Sequence, residues 1–180
     1  GANIVIPFCP LAITLDSNHI FNGSGILRLN LKLMSYEPGK DEDEQGVPFV
    51  GRAGQLLDRI LAAIDLTRED VYIANIVKCR PPNNRVPNRV EAKAFLPYLY
   101  RQIELIQPQI IVLLGNTALQ NLIGPDARIT KMRGQWLESQ SCIKIIATYH
   151  PAAVLRDPNR RLPVWEDFQM IQGSVRSAKG

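Results

Sequence analysis

The sequence predicts an α/β protein with a mainly parallel sheet covered by helices on both faces. Four short apolar segments of strand length alternate with longer segments whose apolar residues recur at helical spacing. This alternation is typical of βαβ units, in which consecutive strands run parallel. Polar residues follow three of the four strands, and in such folds ligands bind beyond the carboxyl ends of the strands.

The predicted strands are recognised by two patterns. In the first, leucines alternate with polar residues, as in a strand with one buried face, and the strand ends at Met34. The other three are nearly continuous apolar runs, as expected for strands buried on both faces, and Asn75 is the polar exception in one of them. The predicted strands are 27–34, 71–77, 109–114 and 143–147.

The predicted helices lie between these strands and cover 54–64, 91–106 and 117–123. In the first of them the apolar residues fall on one face. A polar segment, 80–87, precedes the second helix and cannot be helical, because its prolines lack the N–H donor and restrict their neighbours. Repeats and linkers are not evident, so one domain is expected over 1–180.

Composition limits the class of protein. The chain has 180 residues, 46% of them apolar and 21% charged, as in ordinary globular proteins. A net charge of +4 and a pI near 9.1 permit binding to a polyanion without demonstrating it. Three cysteines without C-x-x-C spacing argue against a disulfide framework, and no apolar run is long enough to span a membrane. The apolar first ten residues lack the basic region of a signal peptide, so a cytoplasmic location is expected.

Phe49 lies in a glycine-rich segment, between Pro48 and Gly51. A ring held on a stiff loop is a platform on which a flat ligand such as a nucleobase can stack. The alternative is that Phe49 is a core residue beneath a packed loop.

Asn75 interrupts an apolar strand and needs hydrogen-bond partners, because an unsatisfied buried amide costs about 1–3 kcal/mol. Its carboxamide could hold a neighbouring loop in place. It could also read the edge of a pyrimidine base, since it offers a donor and an acceptor together.

His150 directly follows the last predicted strand and precedes Pro151. A single histidine is often structural, but the apolar residues after it suit a wedge that enters a base stack. Two clusters of arginines flank these segments and could contact a polyanion. They comprise Arg80, Arg85 and Arg89, and Arg156, Arg160 and Arg161.

Three segments together, 46–54, 75–82 and 150–156, closely resemble three blocks of the family 4 uracil-DNA glycosylases, and the likeness runs from about Phe21 to Trp165. The resemblance implies a three-layer α/β/α sandwich around a central, mainly parallel four-stranded sheet. It also implies a monofunctional base excision repair enzyme that flips uracil out of DNA and hydrolyses its N-glycosidic bond. Its partner would be uracil-containing DNA, single- or double-stranded, and the protein would act as a monomer.

By the same resemblance, Phe49 would stack on the flipped uracil and Asn75 would read its polar edge. His150 would stabilise negative charge on the uracil O2 as the bond breaks. The segment after it would probe the duplex and fill the space that the base leaves, through Val154, Leu155 and Arg156. The remaining expected contacts are Tyr36, Pro38 and Gly39 to the substrate and Arg80, Arg85 and Pro151 to DNA.

The first family block departs from its usual sequence. Where the family has Gly-Glu-Ala-Pro-Gly, this chain has Ser-Tyr-Glu-Pro-Gly at 35–39. Glu37 could position the attacking water, could be the family glutamate displaced by one residue, or could be a bulkier group that spoils the pocket. The expected catalytic pair is therefore Glu37 and His150. The alternatives are a catalytically weakened relative that still binds uracil or DNA, and a glycosylase with shifted base specificity.

The cysteines depart as well. The resemblance implies a [4Fe–4S] cluster held by four cysteines. Cys9 and Cys79 match two of those positions, so they would be its ligands in this chain, whereas the other two positions are Ile6 and Phe95. Two thiolates do not hold such a cluster in the usual way, and no cofactor is expected.

Overall fold

The structure is a computed structural model that describes residues 3–4, 31–35, 51–75, 89–139 and 141–179. Within these ranges six strands form one sheet. They are β1 (Asn3–Ile4), β2 (Leu31–Ser35), β3 (Val71–Asn75), β4 (Ile110–Leu114), β5 (Leu137–Ser139) and β6 (Lys144–Thr148).

Six α-helices accompany the sheet in the described ranges. They are α1 (Arg52–Ala63), α2 (Arg89–Ile106), α3 (Asn116–Leu122), α4 (Ile129–Met132), α5 (Pro151–Arg156) and α6 (Arg161–Lys179). Short 3₁₀ turns at Arg68–Asp70 and Pro158–Arg160 precede β3 and α6. No helix in the described ranges has both the length and the apolar character needed to cross a bilayer.

The strands lie in the order β1-β5-β6-β4-β2-β3. The four strands β3, β2, β4 and β6 run parallel to one another, whereas β5 pairs antiparallel with β6 and parallel with β1. The expected α/β class is therefore confirmed, but the count of four strands is wrong, because β1 and β5 extend the sheet at one edge. Strands of two and three residues are too short to show an apolar period of their own.

Alternate residues of the central strands face two separate cores. Ile110, Val112 and Leu114 of β4 pack on one face, and Ile111 and Leu113 pack on the other. The first core takes its other buried residues mainly from α1, α5 and α6, and the second takes them from α2, α3 and α4. Helices thus cover both faces, as the nearly continuous apolar strands indicated.

Most predicted elements agree with the structure within a few residues. Three further helices, α4, α5 and α6, were not predicted, and α5 contains the apolar residues after His150 that the sequence suggested as a wedge. The first predicted strand is described only from Leu31, and the second only as far as Asn75. Their remaining residues lie outside the described ranges.

The strand order reverses between β2 and β4. From β2 the chain proceeds outward to β3, then returns to β4 on the other side of β2 and continues to β6. In open parallel sheets, ligands bind outside the carboxyl ends of the strands at such a switch point. This end of the sheet is formed by Ser35, Asn75, Leu114 and Thr148.

Candidate active site

His150 lies at the carboxyl end of the sheet, two residues beyond β6, and is the N-cap of α5. Its Nδ1 accepts a hydrogen bond from the backbone N–H of Ala152 at 3.0 Å. Pro151 occupies the first helical position, where its missing N–H is not needed. Because Nδ1 is an acceptor, the neutral ring carries its proton on Nε2, and the imidazole presents a donor from that side.

Gly115, directly after β4, determines how closely the end of β4 approaches the segment that follows β6. Its φ is +93°, its backbone N–H donates to the Thr148 carbonyl at 2.9 Å, and a Cβ at this position would lie 3.1 Å from the Cβ of His150. This backbone conformation is essentially restricted to glycine. The close approach of β4 to His150 therefore depends on the absence of a side chain at Gly115.

Asn75 ends β3, and Ser35 ends β2 directly beside it in the parallel register. The altered family block, which begins at Ser35, therefore starts next to Asn75 at the same end of the sheet as His150. Phe49 lies outside the described residues, but α1 begins three residues later at Arg52, near the predicted helix start. The other predicted site residues outside the described ranges are Tyr36, Glu37, Pro38, Gly39, Arg80 and Arg85.

The segment after His150 separates into buried and exposed residues. Val154 is 2% exposed and belongs to the core that also contains Leu57 and Leu61 of α1. Val154 therefore does not reach the surface in this structure, and its contact with DNA stays a prediction. Leu155 is 36% exposed and Arg156 is also exposed, whereas Pro151 is buried. The α5 helix thus exposes Leu155 and Arg156 to solvent, and its other side packs on α1.

Tyr149 lies between the two cores, and the guanidinium of Arg160 lies over its ring at 4.8 Å from the centroid. Such a cation–π contact is worth about 0.5–1 kcal/mol where it is partly exposed. Arg160 also pairs with Asp157 at 3.3 Å, and Asp157 accepts from the Asn159 backbone N–H. The arginine cluster noted in the sequence is therefore partly structural, since Arg160 braces the residue before His150.

Sequence reasoning missed a buried polar network at the end of β6. It joins Thr148, the last residue of that strand, to Asp167 and Arg133. Asp167 of α6 is 1% exposed and accepts from the Thr148 hydroxyl at 2.6 Å. Arg133 donates to the same carboxylate through two nitrogens, at 2.7 Å and 3.1 Å, and to the Pro163 carbonyl at 3.0 Å. The sequence held no signal for it, because its members are separated by up to 34 residues, and Asp167 lies on a helix that was not predicted.

Burial raises the pKa of the Asp167 carboxyl above its ordinary value, and the hydrogen bonds from Arg133 and Thr148 act in the opposite direction. The hydrogen bond to Asp167 raises the pKa of the Arg133 guanidinium. Asp167 is thus a buried carboxylate paired with a partly exposed guanidinium, and it also accepts from the Thr148 hydroxyl.

Comparison with known proteins identifies the family. The model of the uracil DNA glycosylase superfamily matches residues 24–169. The chain belongs to this superfamily. It is 42% identical to a type-4 uracil-DNA glycosylase of Thermotoga maritima, an alignment that covers 93% of this chain and 88% of the relative. Type-4 uracil-DNA glycosylases of Pyrobaculum aerophilum and Archaeoglobus fulgidus are 43% and 45% identical, over 84% and 83% of this chain and 81% and 78% of the relatives.

The cysteines do not supply the four thiolates of the cluster implied by the type-4 resemblance. The whole chain has three. Cys142 is exposed in the turn between β5 and β6, and Cys9 and Cys79 lie outside the described residues. Phe95, at a third cluster position, is part of α2. Among the described residues, no group of three or more histidine, cysteine or acidic side chains is placed to hold a metal ion.

Proposed function

We propose that this protein is a uracil-DNA glycosylase of the type-4 group that flips uracil out of DNA and hydrolyses its N-glycosidic bond. The proposal takes the chain, 1–180, as one catalytic domain with uracil-containing DNA as its substrate. The observation that carries it is the placement of His150. The histidine lies at the carboxyl end of the parallel sheet, next to the end of β4, and its Nδ1 accepts a hydrogen bond.

In the proposed reaction, the bond between C1′ and the uracil N1 breaks and its electron pair leaves with the base. Negative charge then develops on the uracil, partly on O2. A fixed N–H donor aimed at that oxygen stabilises the transition state, and one such donor is worth about 2.7–4 kcal/mol. The Nε2–H of His150 fits this role, because the Ala152 N–H holds the ring in the matching tautomer.

The departing base leaves positive charge on the sugar, and a water oxygen then bonds to C1′. We assign Glu37 to position this water and accept its proton. Glu37 lies outside the described residues, but it follows Ser35 by two positions, and Ser35 pairs beside Asn75 at the site end of the sheet. Asn75 would read the uracil edge, Phe49 would stack on the base, and Tyr36, Pro38 and Gly39 would complete the pocket.

The DNA contacts in this proposal begin at α5. Leu155 and Arg156 are exposed on a short helix that directly follows the catalytic histidine. An apolar side chain there can fill the gap that a flipped base leaves, and an arginine can bind the neighbouring phosphate. Arg80 and Arg85, which follow β3 in sequence, would extend the basic surface.

The test is uracil excision from a labelled oligonucleotide, single-stranded or paired opposite guanine, with alkaline cleavage of the abasic product as the readout. We expect activity in the wild type and a loss of about 10²–10³-fold in His150→Ala. Glu37→Gln should lose about 10²-fold or more if the carboxylate handles the water. Gly173→Ala, in an exposed part of α6, is the matched control. Wild type that binds uracil-DNA but leaves the base attached would overturn the enzyme proposal.

One observation favours a second candidate, a uracil- or DNA-binding relative with weakened catalysis. The substitutions at Ser35, Tyr36 and Glu37 change the water-handling block, while Asn75 and His150 remain in place. This candidate predicts tighter binding of uracil-containing DNA than of thymine-containing DNA without excision. A glycosylase with shifted specificity predicts instead that hypoxanthine or xanthine is released faster than uracil.

We further propose that the protein acts without a four-cysteine iron–sulfur cluster, since it has too few thiolates to hold one. Protein purified without oxygen should contain far less than four iron and four sulfide ions per chain. Stoichiometric iron and sulfide, lost in Cys79→Ala, would contradict this proposal.

A further inference from the structure

We infer that Thr148, Asp167 and Arg133 form a positioning network that sets the place of His150 for catalysis. The inference deepens the proposed function and rests on it. None of the three residues need touch the substrate, since their hydrogen bonds join the end of β6 to α6.

Three hydrogen bonds hold the last residues of β6, one within the network and two to the backbone. The Gly134 backbone N–H donates to the Ala147 carbonyl at 3.0 Å, and the Gly115 N–H donates to the Thr148 carbonyl at 2.9 Å. The Thr148 hydroxyl donates to Asp167 at 2.6 Å. Backbone and side chain are thus both restrained immediately before Tyr149 and His150. The restrained hydroxyl and carbonyl of Thr148 are only two residues from His150, so their position influences that of the imidazole.

The carboxylate is itself held firmly. Arg133 binds Asp167 with two parallel hydrogen bonds and is anchored in turn to the Pro163 carbonyl, one turn earlier in α6. Arg133 also lies 3.6 Å from Glu166, at the protein surface. A forked arginine–carboxylate pair fixes orientation as well as distance. The Thr148 hydroxyl therefore bonds to an acceptor that cannot rotate away without breaking these contacts.

The adjoining turn allows little displacement. Gly134 has φ +70°, and a Cβ there would lie 2.6 Å from the Asp167 Oδ1. The turn that carries Arg133 thus lies directly against the carboxylate, in a backbone conformation that favours glycine. A side chain at this position would push Asp167, and through it Thr148, away from the observed arrangement.

A stability role alone does not explain this network. Buried ion pairs contribute little net stability on average, because desolvating the two charges offsets their attraction. Catalysis, in contrast, is sensitive to position, and a shift of about 1 Å in a catalytic group can cost about 10²-fold in rate. The network lies at the one strand end that leads into the proposed catalytic histidine.

The test compares Thr148→Val, which removes the hydroxyl at nearly constant volume, with Thr148→Ser, which keeps it. Phe168→Leu is the control, since Phe168 follows Asp167 in α6 and is buried in the apolar core outside the network. Single-turnover excision with enzyme in excess gives the chemical rate, titration gives uracil-DNA affinity, and thermal melting gives stability. We expect Thr148→Val to lose about 10–100-fold in rate, with affinity nearly unchanged, and Thr148→Ser to recover most of it.

A second variant and a second readout keep the test decisive. Gly134→Ala should lower the rate in the same way, whereas Gly124→Ala, with φ +151° and nothing within 4 Å of the added methyl, controls for backbone strain. Imidazole ¹⁵N spectra report the His150 ring directly, and the chain has only one other histidine. Thr148→Val should shift the His150 signals and Phe168→Leu should not.

The outcomes separate the two proposals. If the wild type excises no uracil, the proposed function fails, and the imidazole spectra still decide whether Thr148 positions His150. If the wild type is active and Thr148→Val has the wild-type rate and wild-type His150 signals, the positioning proposal fails. Equal rate losses in Thr148→Val and Phe168→Leu that follow their melting temperatures would also overturn it.

Discussion

The Cβ of His150 lies 3.1 Å from the place that a Cβ on Gly115 would occupy, so the end of β4 and the segment that carries His150 meet closely at a residue whose φ of +93° favours glycine. This contact lies at the carboxyl end of the parallel sheet, next to the point where the strand order reverses. Two strands that are 34 positions apart in sequence thereby define one wall of the proposed site.

Gly115→Ala should therefore impair both stability and excision. The residue would have to leave a backbone region that costs about 1–3 kcal/mol for other amino acids, or push His150 by a few tenths of an ångström. Thermal melting and single-turnover excision measure the two effects. Gly173→Ala is the control and should gain up to about 1 kcal/mol, because it lies within α6 with open space around it. A Gly115→Ala variant with wild-type stability and rate would contradict the assigned geometry.

Val154 and Leu155 should respond in opposite ways to truncation. Val154→Ala removes buried methyl groups from the core beside α1 and should destabilise the protein by about 1–3 kcal/mol. Leu155→Ala should leave stability nearly unchanged and reduce excision from duplex DNA more than from single strands, because only the duplex leaves a gap to fill. Melting curves and excision on both substrates provide the comparison. The wedge assignment fails if Leu155→Ala slows both substrates equally.

Arg156→Gln should weaken DNA binding in a salt-dependent way. Loss of one phosphate contact lowers the slope of log K against log salt by about 1. Arg176→Gln is a suitable control, since Arg176 lies at the far end of α6 and is exposed in an ion pair with Asp65. Binding isotherms over a range of salt concentrations measure both slopes. Equal slopes for Arg156→Gln and wild type would place Arg156 outside the DNA contact.

The raised pKa of Asp167 predicts a particular dependence of stability on pH. Above its ordinary pKa of 3.8 the unfolded chain releases this proton first, so the folded state binds more protons in that window. The Asp167 contribution to the free energy of unfolding therefore falls as pH rises from 3.8 to the raised folded-state pKa, and stays constant above it.

Asp167→Asn isolates this contribution, because asparagine does not titrate. The stability of wild type relative to Asp167→Asn should be greater near about pH 4 than near about pH 8, as measured by thermal melting. Asp126→Asn, an exposed change at a carboxylate outside the network, is the control. A relative stability that instead increases with pH would mean that Arg133 and Thr148 outweigh burial and lower the pKa.

Much of the fold could be predicted from local patterns. Continuous apolar runs identified β3, β4 and β6, and helical spacing identified α1, α2 and α3, because burial on two faces or on one stripe leaves a period in the sequence. The short strands β1 and β5 and the four-residue helix α4 left no such period. For these, pairing and packing with distant residues decide the structure.

For the candidate site, the sequence by itself determined which residue types follow each strand, and the family to which the chain belongs. Their arrangement was decided by tertiary structure. Val154 and Leu155 are adjacent apolar residues that only the packing of α5 against α1 distinguishes as buried and exposed. In the sequence, Asp167 looks like an ordinary charged helix residue. Only the packing of α6 near the end of β6 brings its carboxylate into contact with Thr148 and Arg133. Local patterns reflect the conformation and burial of neighbouring residues, whereas these contacts join segments whose proximity depends on the order of strands in the sheet.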